Sequence, residues 1–197
     1  MSPKPTIIFV PGSWHGPETW NKLASLLEPQ QYGCVSIELP TTCPNPAAGF
    51  SDDVKAVRQA IESETTQGRD VVVVAHSYGG VVGPSAVKGL TRPKQVEPSS
   101  PTATSPSGHV VGIIMMATGF MPTGVGFLEA MGGSPPPIWR LDEGRGLAVL
   151  TVDAGELFYH DLPKEEQGQW VSALREQRLA AFTSGADMYS GWMDVPV

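Results

Sequence analysis

A serine follows a run of four valines at residues 71–80, which read VVVVAHSYGG. The five residues centred on Ser77, AHSYG, are a variant of the G-x-S-x-G pattern with alanine in the first small position. In that pattern, the nucleophile elbow, a sharp turn between a strand and a helix lifts a serine above a sheet. Small residues two positions before and after the serine prevent a collision between strand and helix. We therefore interpret Ser77 as a candidate nucleophile for attack on an ester or related carbonyl group.

The elements that must position Ser77 alternate between strand and helix patterns along the chain. Besides the valine run, apolar stretches predict strands at residues 6–10, 34–39 and 109–117. Helical spacing of apolar side chains predicts helices at residues 16–27, 51–66 and 78–90. This alternation is typical of a three-layer α/β/α fold with a mostly parallel sheet. A chain of 197 residues is most simply a single domain, large enough to bury roughly 70% of its unfolded surface.

Two later segments differ from this alternating pattern. Residues 91–108 are rich in Ser, Thr and Pro and nearly free of large apolar residues, so we expect a flexible surface loop. Residues from about 120 to 190 predict a helical lid, irregular at 121–149 and helical at 153–159 and 164–182. The large apolar side chains of the lid could either line a pocket or pack a helical layer. They are Met121, Phe127, Met131, Trp139, Phe158, Trp170 and Phe182.

Charge and composition restrict the class of partner. The net charge of −7 and the pI near 5.0 argue against nucleic acid or an anionic membrane surface, because either would favour a basic patch. We expect the partner to be a small neutral molecule. The N-terminal apolar run before Pro11 is too short for a signal peptide or a membrane anchor, so we expect a cytoplasmic protein.

Two cysteines and two adjacent aspartates are interpreted as structural residues. Cys34 and Cys43 are the only cysteines in the sequence, and neither belongs to a C-x-x-C motif or has a histidine-spaced partner. This pattern indicates neither a zinc site nor a disulfide framework, and we expect no cofactor. Asp52 and Asp53 lie at the start of a predicted helix, where acidic side chains suit the positive end of the helix dipole.

Three segments resemble the α/β-hydrolase superfamily. They are VPGSWHGPETW at residues 10–20, AHSYGG at 75–80 and LFYHDLPKEEQGQWVSALREQ at 157–177. Together they are most similar to the branch of plant methylesterases and hydroxynitrile lyases, with its bacterial and fungal relatives. The resemblance runs from about residue 5 to residue 197. The Ser/Pro-rich segment at 91–108 departs from the family, in which that connection is usually short.

The resemblance implies a mechanism for Ser77. Its hydroxyl would attack the substrate carbonyl, and the tetrahedral oxyanion would accept hydrogen bonds from two backbone N–H groups. One is the N–H of Tyr78, at the start of the helix that follows the serine. The other is the N–H of Ser13, which matches the family position after the first strand.

The resemblance also implies two partners for the serine. In this superfamily an acid and then a histidine follow the serine in chain order. The sequence ends in WMDVPV at residues 192–197, and in relatives a segment like DVPV leads into the next strand. We therefore expect the last two strands, the matching acid and the matching histidine to be absent from this chain. A serine without a base is a poor nucleophile near neutral pH.

Four histidines could substitute for the missing base. His76 occupies an elbow position that is often a packing histidine in the family, and His109 opens a strand. His15 follows the turn that carries Ser13, and His160 lies beside Asp161 at the end of a predicted lid helix. Adjacent residues on a helix point apart, so His160 and Asp161 are not a ready relay. We keep His15 and His160 as candidate bases.

The strand predicted at residues 109–117 would lie at an edge of this sheet. An apolar edge strand exposes unpaired N–H and C=O groups. We expect either the lid to fold over it or a second copy of the chain to pair with it as a homodimer.

Three functions are compatible with these residues. The first is a serine hydrolase of esterase type acting on a small ester or lactone. The second is a lyase, dehydratase or cyclase that uses the same pocket, which the hydroxynitrile lyases suggest by analogy. The third is a ligand-binding protein without catalytic activity. Labelling by a fluorophosphonate probe distinguishes the first function from the other two.

Overall fold

A parallel four-stranded sheet forms the centre of the computed structural model, which describes residues 3–92 and 108–197. Its strands are β1 (Thr6–Val10), β2 (Cys34–Ser36), β3 (Val71–His76) and β4 (Val110–Met116). The spatial order is β2-β1-β3-β4, and every neighbouring pair is parallel. The register places Val10 beside Ala75 and Ala75 beside Met115. The carboxyl ends of β1, β3 and β4 therefore meet at one edge of the sheet.

Helices cover both faces of this sheet. One face packs against α2 (Phe50–Thr65) and α3 (Gly79–Ala86), where Val57, Ile61 and Val82 are fully buried. The other face packs against a 3₁₀ turn (Pro17–Trp20) and α1 (Asn21–Leu27). The three-layer α/β/α fold with a mostly parallel sheet is therefore confirmed.

The lid region contains strands as well as helices. Its helices are α4 (Phe127–Ala130), α5 (Ala154–Phe158), α6 (Lys164–Ser172) and α7 (Ala180–Thr183). Its strands are β5 (Trp139–Asp142), β6 (Leu147–Leu150) and β7 (Gln177–Arg178), which form an antiparallel sheet in the order β5-β6-β7. A short 3₁₀ helix, Gly191–Met193, follows near the end.

Two predictions for the lid region were wrong in detail. Residues 121–149 were predicted to be irregular but contain β5 and most of β6, which pair across a turn with Gly146 at φ 64°. The helix predicted at 164–182 ends at Ser172. The chain leaves it because the N–H of Arg175 donates to Trp14 O (2.8 Å) and β7 then pairs with β6.

Other predicted elements shift at their ends. The helix predicted at 16–27 begins as a 3₁₀ turn, and the helix predicted at 78–90 spans only Gly79–Ala86 with Pro84 inside it. Most of the loop predicted at 91–108 falls outside the described residues. In the described ranges, no helix is both long enough and apolar enough to cross a membrane.

Strand β4 forms the edge of the parallel sheet. The N–H of Ile113 donates to Pro196 O (3.0 Å), so the last residues of the chain contact this edge. The side chains of Ile114 and Met116 are 51% and 42% exposed. A homodimer through this edge stays a prediction.

Candidate active site

Ser77 lies in a sharp turn between β3 and α3. Its backbone is left-handed at φ 51°, a conformation that costs a non-glycine residue free energy and concentrates at functional sites. The N–H of Ser77 donates to Met116 O (3.0 Å), and its carbonyl oxygen accepts from the N–H of Gly80 (2.8 Å). These bonds hold the serine between the carboxyl ends of β3 and β4.

Close packing around the turn requires glycine at position 79 and leaves little space at position 12. A Cβ on Gly79 would lie 2.5 Å from Pro11 O and 2.6 Å from Val10 O, which are backbone atoms that cannot swing away. A Cβ on Gly12 would lie 3.2 Å from Ser77 Cβ. The loop after β1 therefore presses directly against Ser77, as the small-residue pattern in the sequence predicts.

Two backbone N–H groups beside Ser77 are unused. Within residues 3–92 and 108–197, neither the N–H of Ser13 nor that of Tyr78 donates a hydrogen bond. Ser13 is buried in the loop after β1, and Tyr78 directly precedes the first residue of α3. The predicted role of these two N–H groups as donors to a ligand stays a prediction.

Ser77 is half-buried, and its hydroxyl makes no hydrogen bond to any residue in the described ranges. His15 lies in the loop after β1 that packs against Ser77. Both ring nitrogens of His15 are within hydrogen-bond distance of other residues. Its Nδ1 is 2.7 Å from Ser13 O and its Nε2 is 2.9 Å from the Tyr159 hydroxyl. Burial lowers the pKa of His15 below its ordinary value of 6.5, so the ring is neutral near pH 7.

The other histidines are placed differently. The His76 ring is partly buried beside the elbow, and desolvation lowers its pKa, with a further contribution from the nearby His15. His109 lies just before β4, and its N–H donates to Asp70 Oδ1, so it sits at the opposite end of the sheet from Ser77. His160 is exposed just after α5. The structure thus groups Ser13, His15, Ser77 and Tyr78, and it places His160 on the surface.

A cleft of about 470 Å³ opens beside His15 and His76, and the described residues that line it do not include Ser13, Ser77 or Tyr78. The side chains of His15 and His76 form one wall, and α5, α6 and the residues between them form the other. Among the large lid residues, Phe158 and Trp170 line the cleft, whereas Phe182 is buried against Tyr78 in the core. Both proposed roles of the lid residues therefore occur, at different positions. In the part of the chain that is described, no cluster of His, Cys, Asp or Glu side chains could hold a metal ion.

The Tyr78 side chain contacts Asp53, a buried acid whose position in the sequence predicts only a helix start. The Tyr78 hydroxyl donates to Asp53 Oδ2 (2.7 Å), and both residues are fully buried. Burial raises the pKa of Asp53 to about 6 and that of Tyr78 well above its ordinary value. One signal was in the sequence, since Asp53, Val57 and Ile61 share one face of α2 at a spacing of four residues.

Comparisons with known proteins agree with this fold. The sequence model of the family described as "Alpha/beta hydrolase family" matches residues 7–197. The chain is 29% identical over 197 residues to the α/β hydrolase nvfD of Aspergillus novofumigatus, covering 98% of this chain and 75% of that protein. It is 37% identical over 202 residues to R7 of a Phoma species, named a probable hydrolase, with the same coverage of 98% and 75%. The chain belongs to the α/β hydrolase family.

Solved structures share the fold at low sequence identity. A methylesterase from Arabidopsis, MES16, superposes with a TM-score of 0.64 at 16% identity, covering 98% of this chain and 76% of that one. An extracellular α/β-hydrolase from a Paenibacillus species superposes with a TM-score of 0.67 at 15% identity, covering 96% and 74%. The α/β-hydrolase relationship predicted from the sequence is confirmed, and structures of methylesterase type share its fold.

Proposed function

We propose that the protein is a serine hydrolase of esterase type that acts on a small neutral ester or lactone through Ser77. The observation that carries this proposal is the left-handed Ser77 beside two unused N–H groups, those of Ser13 and Tyr78. The names of its relatives, an α/β hydrolase and a probable hydrolase, support the same reaction class. The cytoplasmic location predicted from the sequence stays a prediction.

The proposed reaction has two halves. Ser77 Oγ attacks the carbonyl carbon and gives up its proton to a base, and the resulting oxyanion accepts hydrogen bonds from the N–H groups of Ser13 and Tyr78. The alcohol leaves with a proton, and water then releases the acid from the acyl-serine. One such oxyanion donor typically contributes about 3 kcal/mol to transition-state stabilisation, so the two loops act as a pair.

Proton transfer from Ser77 is expected to limit the rate, because no base in the part of the chain that the structure describes is positioned beside its hydroxyl. Within the described residues, no imidazole hydrogen-bonds to Ser77 Oγ. We therefore expect acylation by esters with good leaving groups and slow turnover. Of the two predicted bases, His15 borders the cleft beside the elbow, whereas His160 is exposed after α5. His15 Nδ1 carries the proton that it donates to Ser13 O, so Nε2 is the basic nitrogen and would have to release the Tyr159 hydroxyl before it could accept a proton.

A fluorophosphonate probe tests the nucleophile directly, because Ser77 Oγ would displace fluoride from phosphorus and retain the label. We expect labelling of the wild-type protein and of Ser25→Ala, which removes an exposed hydroxyl on α1. We expect no labelling of Ser77→Ala. Equal labelling of wild type and Ser77→Ala would show that another residue reacts.

The second candidate is a lyase, dehydratase or cyclase working in the same cleft. The observation in its favour is the pairing of His15 Nε2 with the Tyr159 hydroxyl on the cleft wall, which could move a proton without Ser77. Absence of labelling in a folded wild-type protein that still binds a small molecule in the cleft would favour this candidate or the ligand-binding function.

A further inference from the structure

A buried polar chain joins the two loops that flank Ser77. It starts at Gln177, a fully buried residue of β7. The Oε1 of Gln177 accepts a hydrogen bond from the N–H of Trp14 (3.3 Å), the residue directly after Ser13. Its Nε2 donates to Thr41 Oγ1 (3.0 Å), so one amide uses both of its ends. A buried amide satisfied at both ends has one orientation, which makes it a rigid connector.

The chain continues from Thr41 to the residue after the nucleophile. Thr41 Oγ1 accepts from Gln177, and its own proton is directed to Asp53 Oδ2 (2.6 Å). The same carboxylate oxygen accepts from the hydroxyl of Tyr78 (2.7 Å). The N–H of Thr41 also donates to Asp53 Oδ1 (2.9 Å). The donors of Gln177 and Thr41 point along the chain towards Asp53, and the Tyr78 hydroxyl donates to Asp53 from the other end.

Trp14 needs such support because its backbone is left-handed, at φ 63°. Its N–H donates to Gln177 Oε1, its carbonyl oxygen accepts from Arg175 N (2.8 Å), and its indole Nε1 donates to Ala148 O (3.0 Å). The three partners belong to β6, to β7 and to the segment that leads into β7. The small lid sheet therefore holds the loop that carries Ser13.

We propose that Gln177 is a positioning residue that fixes the backbone N–H of Ser13 relative to the N–H of Tyr78. The effect of Gln177 on catalysis rests on the proposed function. Its positioning of the loop does not depend on that function. Gln177 lies on the lid sheet, so the same contact couples the placement of the lid to the geometry around Ser77.

The test uses the full chain, p-nitrophenyl acetate as substrate, and two variants that remove hydrogen bonds without a large change of volume. These are Gln177→Leu and Thr41→Val, with Thr41→Ser as the control that keeps the hydroxyl. We expect kcat to fall about tenfold or more in the first two variants with KM within about twofold, because small misplacements of oriented groups are costly. Thr41→Ser should stay within about twofold of the wild-type kcat.

A double variant tests whether the two ends of the chain act as one unit. We expect the kcat of Gln177→Leu/Tyr78→Phe to fall no further than in the more affected single variant, because losses within one unit are not additive.

Amide hydrogen exchange separates failure of this inference from failure of the proposed function. In Gln177→Leu we expect about tenfold faster exchange in peptides that contain Trp14 and Tyr78, with unchanged exchange in the second half of α2. If wild type does not hydrolyse the ester, the proposed function fails and the exchange result alone decides the positioning role. Unchanged exchange at Trp14 would overturn the inference. So would a wild-type kcat in both Gln177→Leu and Thr41→Val, or a loss in Thr41→Ser equal to that in Thr41→Val.

Discussion

The hydroxyl of Tyr78 donates a 2.7 Å hydrogen bond to the carboxylate of Asp53, and neither side chain is exposed to solvent. The turn that carries Ser77 is thus anchored to α2 through Tyr78, the residue that follows the serine. Two oxygens of Asp53 accept three hydrogen bonds, from Thr41 N, Thr41 Oγ1 and the Tyr78 hydroxyl. Desolvation still outweighs these bonds and raises the pKa of Asp53 from 3.8 to about 6.

This raised pKa predicts how stability depends on pH. Between about pH 4 and pH 6 the folded state binds a proton at Asp53 that the unfolded state has released, so the free energy of unfolding falls as pH rises. The contribution present below pH 4 is on the order of 3 kcal/mol and is lost by about pH 6. Urea unfolding of wild type and Asp53→Asn at several pH values measures it as the difference between the two proteins. A difference that is flat from pH 4 to pH 7 would contradict the raised pKa.

A side chain at position 79 is predicted to clash with the backbone of β1 and the residue after it, and Gly168 provides a control position without such a clash. Gly79→Ala would place a Cβ 2.5 Å from Pro11 O, so we expect a loss of about 3 kcal/mol in the free energy of unfolding, or a failure to fold. Gly168 lies in α6, and a Cβ added there would meet nothing within 4 Å, so Gly168→Ala should stabilise the protein by about 0.5–1 kcal/mol. Thermal unfolding of both variants measures the contrast. A stable Gly79→Ala protein would show that β1 and α3 can separate at this point.

Local patterns were enough to predict the parallel sheet and the sharp turn at Ser77. The apolar runs of β1, β3 and β4 and the helical spacing in α2 are each contained in one short segment, and so is the motif around Ser77. The family resemblance predicts a role for Ser13 because its loop follows β1 directly, and that role stays a prediction. In these cases the residues that determine the structure are neighbours in the chain.

The lid sheet and the buried chain depend on distant contacts and were not predicted. Strand β7 has two residues, too few for any periodic pattern. Its position depends on the bond from Arg175 N to Trp14 O and on Gln177, which contacts Trp14 across 163 positions. No signal in the sequence distinguishes Gln177 from an exposed glutamine, so only the folded structure reveals its role.

His15 and His160 give opposite predictions for the reactivity of Ser77. His15→Phe removes the ring that contacts Ser13 O and borders the cleft, so we expect fluorophosphonate labelling to slow by about tenfold. If His15 acts as the base, the wild-type labelling rate should fall as pH drops through a pKa below 6.5, because only the neutral ring accepts a proton. His160→Ala should label at the wild-type rate, because the side chain is exposed. A slow His160→Ala protein beside a normal His15→Phe protein would reverse these assignments.

The exposed edge of β4 leads us to predict that the protein forms a homodimer. Its edge carries the exposed side chains of Ile114 and Met116, and the N–H of Ile113 is already bonded to Pro196 O. A second copy that pairs with this edge would bury both side chains and add backbone hydrogen bonds, so we expect a dimer in sedimentation velocity at micromolar concentration. Ile114→Lys should shift the protein to monomer, whereas Leu26→Lys, at a 62% exposed position on α1, should not. The carbonyl of Met116 accepts the N–H of Ser77, so dimer formation should also slow amide exchange at Ser77. A wild-type protein that sediments as a monomer throughout would show that the edge stays unpaired.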